Sequence, residues 1–173
     1  MTKEMTQSEW PKKRDGKLID VSVNDQQSEL NIDQERLVDA VQCVLRGEGI
    51  MEGSIGLAIV DDATIQDLNR RYLNHDYATD VLSFLLHRDG NQVEGDVIAS
   101  AQTAARSARE FGWSAADELL LYVVHGTLHL AGYDDKSNTE RSTMRGREEH
   151  YLLKYGLEPR YDDVVDVNTK EGE

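Results

Sequence analysis

The chain has 173 residues, enough for one domain with a real core, and its 33 acidic against 19 basic side chains give a net charge of −14. No run approaches the roughly 20 apolar residues of a membrane span, the polar N-terminus lacks the apolar segment of a secretory signal, and a lone cysteine, Cys43, excludes an internal disulfide. These features point to a cytoplasmic protein, and the acidic balance is unusual for a nucleic-acid binder, whose contact face is basic.

Residues 1–17 are polar and aperiodic, with Lys12-Lys13-Arg14, and read as a loose N-terminal arm. Leu18 to Val23 alternates as a strand does. Asp33 can cap a helix whose apolar face is Leu37, Val38, Val41, Val44 and Leu45, stopping near Gly47, with Cys43 as a structural thiol in that pattern. Ile55 to Val60 is a second strand. Asp61 and Asp62 then cap a short helix carrying Ile65, Leu68 and Tyr72. Val81 to Leu86 is a third strand, apolar on both faces as a doubly buried strand would be. Asp80, just before it, can cap the turn or reach into a cleft. Asp89-Gly90-Asn91 is a turn signal, and Gly95 to Ala99 is the hairpin partner.

From residue 100 the pattern is helical. Gln102 to Phe111 is ended by Gly112, and Trp113 is a core anchor. Ser114-x-x-Asp117 forms a capping box for a strongly apolar helix, Leu119 to Leu130. A last helix runs from about Ser137 to Tyr155, closed by Gly156 and Pro159. The tail, 158–173, has six acidic and two basic residues and reads as disordered. The expected organisation is a single domain over 18–157 between the arm and the tail, of α+β class.

The chemistry concentrates in His125-Gly-Thr-Leu-His129-Leu-Ala-Gly-Tyr-Asp-Asp135. Histidines four apart on a helix stack on one face, one turn apart, and can grip one ion. Gly132 can end the helix, so that Asp134 and Asp135 return where a third ligand is useful. Two histidines and a carboxylate leave one position open, the pattern of catalytic rather than structural zinc. The competing reading is a pair of hydrogen-bonded core histidines, because the flanking residues are apolar. H-E-x-x-H peptidases keep a general-base Glu where this chain has Gly126, which argues against peptide hydrolysis. His75 and His87 fall in loops and read as solvated, and His150 is on the last helix, where it could approach the metal but nothing fixes its direction. Residues 18–99 carry five basic and sixteen acidic groups, net −11, whereas 136–156 carry five basic and three acidic, net +2. Arg141, Arg145 and Arg147 are therefore candidate phosphate contacts, against the alternative of an ordinary solvated helix face.

The histidine motif resembles the signature H-G-x-L-H-L-x-G-Y-D-H of the YbeY family. A second block, Leu68-Asn69-Arg-Arg-Tyr72, Thr79-Asp80-Val81-Leu82-Ser83-Phe84 and Gly95-Asp96-Val97-Ile98, is similar to the family's N-x-x-Y…T-[DN]-V-L-S-F…G-D-I segment. The resemblance spans about residues 18–156. It implies a small mixed four-stranded sheet with packed helices and a zincin-like metal site on a helix and its following loop. One Zn²⁺ per chain, held by His125, His129 and Asp135, is the implied cofactor, with no organic cofactor. The implied activity is a single-strand-specific, metal-dependent endoribonuclease in maturation of the 16S rRNA 3′ end and in ribosome quality control. Ribosomal RNA, the small ribosomal subunit and assembly factors are the implied partners, with no membrane. Two positions depart from the family. Its third ligand is usually His, here Asp135, which makes the site harder and more anionic. Its Arg after the Tyr is Leu73 here, leaving Arg70 or Arg71 as substitutes and the catalytic residues unassigned. The alternatives are a non-catalytic, metal-stabilised ribosome assembly factor and, less favoured, a zincin-like peptidase.

Overall fold

Side-chain oxygens start the helices. In the computed structural model, which describes residues 19–159 and 161, Asp33 accepts from the Arg36 amide to open α1 (Gln34–Gly47), and Asp61 accepts from Thr64 to open α2 (Asp62–Leu73). Ser100 opens α3 (Ala101–Phe111) and Ser114 opens α4 (Ala115–Leu130) in the same way. Only the serine half of the expected Ser114 capping box forms, because the Asp117 carboxylate accepts from Arg36 of α1 at 2.9 Å. The reciprocal box is made instead at Ser137 and Glu140, which open α5 (Asn138–Leu152). A 3₁₀ turn, Leu153–Tyr155, and Gly156 at φ +71° close that helix. The expected N-terminal arm, and nearly all of the expected tail, lie outside the described residues.

Strands β1 (Ile19–Asp25), β2 (Glu52–Val60), β3 (Val81–Asp89) and β4 (Gln92–Ser100) form one mixed sheet of order β1-β2-β4-β3. β1, β2 and β4 run parallel, and β3 returns antiparallel to β4 through a tight turn at Gly90. Alternate residues Ile55, Leu57, Ile59, Val93 and Val97 face the core with Leu37, Val41, Val44 and Leu45 of α1. The other face is partly covered by α2 through Val60, Ile65 and Leu82, with Leu68 and Phe84 beside them.

The third strand is not doubly buried. It is the edge of the sheet, no strand among the described residues pairs beyond it, and a bulge between Leu85 and His87 breaks the register at its outer end. Leu85 and Leu86 are accordingly 51% and 56% exposed. This edge still serves the core helix. Arg88 donates to the Ala131 carbonyl at the C-terminal end of α4 at 2.8 Å, where a cation complements the helix dipole.

Helix α4 is buried on nearly every side, from Glu118 to Leu130, between the sheet, α1, α3 and α5. Gly126 sets how closely it lies on the sheet. A Cβ there would meet Val97 Cγ1 at 2.7 Å, with Ser83 Oγ and Val81 Cγ2 at 3.0 Å, and Ser83 Oγ donates to the Gly126 carbonyl at 2.8 Å. A larger residue at 126 would push the helix off the sheet.

Candidate metal centre

The last two turns of α4 carry His125 and His129. Gly132, at φ +108°, then reverses the chain, a conformation open chiefly to glycine. The Tyr133 amide bonds to the Leu128 carbonyl and holds the reversed loop against the helix. That loop brings Asp135 back over the histidines. His125 Nε2 lies 3.1 Å from His129 Nε2 and 3.3 Å from Asp135 Oδ2, and His129 Nε2 lies 3.6 Å from the same oxygen. Tetrahedral zinc with bonds of about 2.0–2.1 Å needs ligand atoms about 3.3–3.4 Å apart. The triangle is of that size, so the three side chains fit one ion. Asp134 is turned elsewhere, accepting from the Asp135 amide at 2.8 Å and facing Lys136.

Each imidazole is held by its other nitrogen. His129 Nδ1 donates to the Tyr133 carbonyl at 3.0 Å, and His125 Nδ1 donates to Glu148 Oε1 of α5 at 2.5 Å. Both bonds place the ring proton on Nδ1 and leave the Nε2 lone pair toward the centre. Glu148 is only 3% exposed, and its second oxygen accepts from Tyr161 Oη at 2.5 Å. Burial pushes the His125 pKa down, but Glu148, with Asp80 and Asp135 nearby, outweighs it and raises the pKa above its ordinary value. Protons therefore compete with a metal at this nitrogen.

The centre lies in the wall of a cleft of about 620 Å³. Asp80, Glu118 and Tyr122 line it with His125 and Asp135. Burial pushes the Glu118 carboxyl up, against hydrogen bonds from Trp113 and Tyr122. Asp80 fulfils both expectations, capping its own turn through the Val81 amide while its carboxylate bears on His125.

The structure sorts the three arginines. Arg141 and Arg145 line the cleft. Arg141 donates to the carbonyls of Asp135 and Lys136, which orient its charge without neutralising it, and Arg145 lies 4.5 Å over the Tyr161 ring. Neither forms an ion pair among the described residues. Arg147 faces away. Its guanidinium grips Glu48 at 2.9 and 2.5 Å and packs on Tyr151. Arg70 and Arg71 both pair with Asp67, and neither they nor Leu73 line the cleft. His150 is exposed and lies outside the ligand group.

Sequence reasoning missed Glu148. Met144, Glu148, Tyr151 and Leu152 are spaced i, i+4, i+7, i+8, the buried stripe of α5, and an acid on such a stripe requires a partner. The Tyr133 carbonyl carried no comparable signal.

Fold and centre together define a mixed α+β domain whose central helix and following loop build a His/His/Asp site able to hold a metal. The chain belongs to the endoribonuclease YbeY family, whose model matches residues 22–156. Relatives named Endoribonuclease YbeY include one from Rhodopirellula baltica, 44% identical over 136 residues, which cover 72% of this chain and 70% of that one. Another, from Moorella thermoacetica, is 38% identical over 154 residues, 80% of this chain and 99% of that one. A Thermotoga maritima protein of known solution structure shares the fold, with a TM-score of 0.54 over 85% of this chain and 99% of that one at 24% identity. No helix among the described residues is long and apolar enough to cross a membrane.

Proposed function

We propose that this chain is a metal-dependent endoribonuclease that cuts single-stranded RNA, with Zn²⁺ held by His125, His129 and Asp135. The observation that carries the reading is the convergence of His125 Nε2, His129 Nε2 and Asp135 Oδ2, 3.1–3.6 Å apart, in a cleft that also presents Arg141 and Arg145. RNA as substrate follows from family membership and the names of the relatives. Ribosomal RNA, including the 3′ end of 16S rRNA, is the proposed target, met in the cytoplasm on the small subunit with its assembly factors.

A bound divalent ion would supply a Lewis acid for a phosphoryl oxygen and an acidified water. The protein's part is positional. Glu148 and the Tyr133 carbonyl keep both imidazoles in the ligating tautomer. Arg141 and Arg145 offer charge to the flanking phosphates. Asp135, an anion where the family usually has a neutral imidazole, makes the centre harder and widens its metal choice. A purely structural metal would be expected in a closed, four-ligand site, whereas three ligands converge among the described residues. A peptidase would need a general base at position 126, where Gly126 abuts the sheet and leaves no room for one.

The test is cleavage of single-stranded and duplex RNA by the purified protein, with and without chelator, beside Asp135→Ala. Chelator-sensitive cutting of the single strand, lost in the variant, is expected. Cutting that persists through both treatments overturns the reading.

A further inference from the structure

We propose that Tyr77, backed by His75, is a nucleobase-stacking subsite in the wall of the cleft, selecting an unpaired base. This rests on the ribonuclease reading and names how the substrate is recognised.

Loop 74–80, between α2 and β3, is built to hold one ring still. Asn74 adopts a left-handed turn at φ +60°, and the His75 amide bonds to the Asn69 carbonyl. Asn69 is 1% exposed, and its side-chain amide donates to the Tyr77 carbonyl at 3.0 Å. Gln66 ties down Asp76 at 3.1 Å. The backbone is thus pinned at His75 and at Tyr77 itself. Its ring lies nearly parallel to His75, 14° apart with centroids at 5.5 Å, and the phenol meets His75 Nδ1 at 3.3 Å.

All this order leaves Tyr77 55% exposed. A tyrosine held for packing would be covered, whereas this one stands exposed on a loop whose backbone is tied to a buried Asn. Tyr77 also lines the same cleft as His125, Asp135, Arg141 and Arg145, directly before Ala78, Thr79 and Asp80. Among the described residues the other large exposed apolar side chains, Met51, Leu73, Leu85, Leu86 and Leu153, are not aromatic and lie outside the cleft, and Tyr72 is set edge-on against Phe84. A flat π-face in one cleft with two guanidinium groups that form no ion pair among the described residues suits one ligand chemistry, a single-stranded nucleotide whose base stacks while its phosphates meet arginine. A paired base, already stacked within a duplex, cannot reach the ring. Because the platform is pre-ordered, little freedom is lost on binding.

The test measures anisotropy of a labelled single-stranded RNA oligonucleotide, and of the same sequence as a duplex, under conditions where gels show the probe intact. Tyr77→Ala should weaken single-strand binding about 10-fold or more, leaving duplex binding, metal content and melting temperature as in the parent. Tyr77→Phe, which keeps the π-face, should bind like the parent. Equal single-strand affinity for parent and Tyr77→Ala overturns the platform, as does a Tyr77→Phe defect equal to that of Tyr77→Ala. A parent that neither binds nor cuts single-stranded RNA overturns the ribonuclease reading itself, a result distinct from a loss confined to Tyr77→Ala.

Discussion

Replacing Glu148 by Gln tests whether a residue that touches no ion governs the metal centre. The carboxylate is 3% exposed and accepts from His125 Nδ1 at 2.5 Å and from Tyr161 Oη at 2.5 Å. Glutamine keeps the shape and one acceptor but removes the charge that makes His125 a better donor to a cation. Its amide can also present N–H to Nδ1, favouring the tautomer whose proton sits on Nε2, the wrong nitrogen for ligation. Outer partners of this kind are worth about 10–100-fold in metal affinity. At about 1.4 kcal/mol per tenfold, that is about 1.4–2.8 kcal/mol. The assay is zinc competition against a chromophoric chelator, with the d–d spectrum of the Co²⁺ form reporting geometry. Glu149→Gln, the exposed neighbour, is the control and should leave both unchanged. If Glu148→Gln binds zinc as tightly as the parent with an identical cobalt spectrum, the carboxylate does not orient His125.

Gly126→Ala should lose about 1–3 kcal/mol of stability by thermal melting, because its Cβ would meet Val97, Ser83 and Val81. Gly146→Ala on α5, where a Cβ meets nothing within 4 Å, should instead gain about 0.5–1 kcal/mol. Equal effects at the two glycines would refute the close seating of α4. Arg145→Glu should weaken RNA binding and flatten its salt dependence without loss of stability, whereas Arg147→Glu should chiefly destabilise, since it leaves Glu48 facing a second carboxylate. A shared RNA-binding defect with unchanged melting in both would cancel that division. For Glu48, burial works against the charge, but hydrogen bonds from Tyr151, Arg147 and Tyr133 prevail and lower its pKa from the ordinary 4.5. A depressed carboxylate stabilises above its unfolded pKa and loses that contribution as pH falls through its folded value. Glu48→Gln should therefore melt well below the parent at pH 7, by about 2 kcal/mol, and the gap should narrow below about pH 4.5. A gap that stays constant with pH would mean that the charge is not what holds this hub.

Much of the architecture was legible from the chain. The caps at Asp33, Asp61 and Ser114, the hairpin turn at Gly90 and the glycine stops after Phe111 and Tyr155 act within a few residues, and local rules read them correctly. Legibility failed where a residue's partner lies far away in sequence. Asp117 was assigned to its own helix cap, but Arg36, 81 residues earlier, takes it. Leu85 and Leu86 read as core because alternation reports both faces of a strand and says nothing of whether a neighbour lies beyond its edge. The basic run after the motif read as one patch, yet Arg145 in the cleft and Arg147 on Glu48, two residues apart on α5, point to roughly opposite sides of the helix.

What the sequence determined by itself is the pair of histidines one turn apart, the glycine that reverses the chain after them, and the family that owns this pattern, because helical periodicity and a positive φ are properties of short segments. Only the tertiary structure decided that Glu148 backs one of the histidines from another helix, and that Tyr77 lines the same cleft. Those facts depend on where α5 and loop 74–80 come to rest against α4 and β3, and that placement follows from burial summed over the whole core rather than from any local rule.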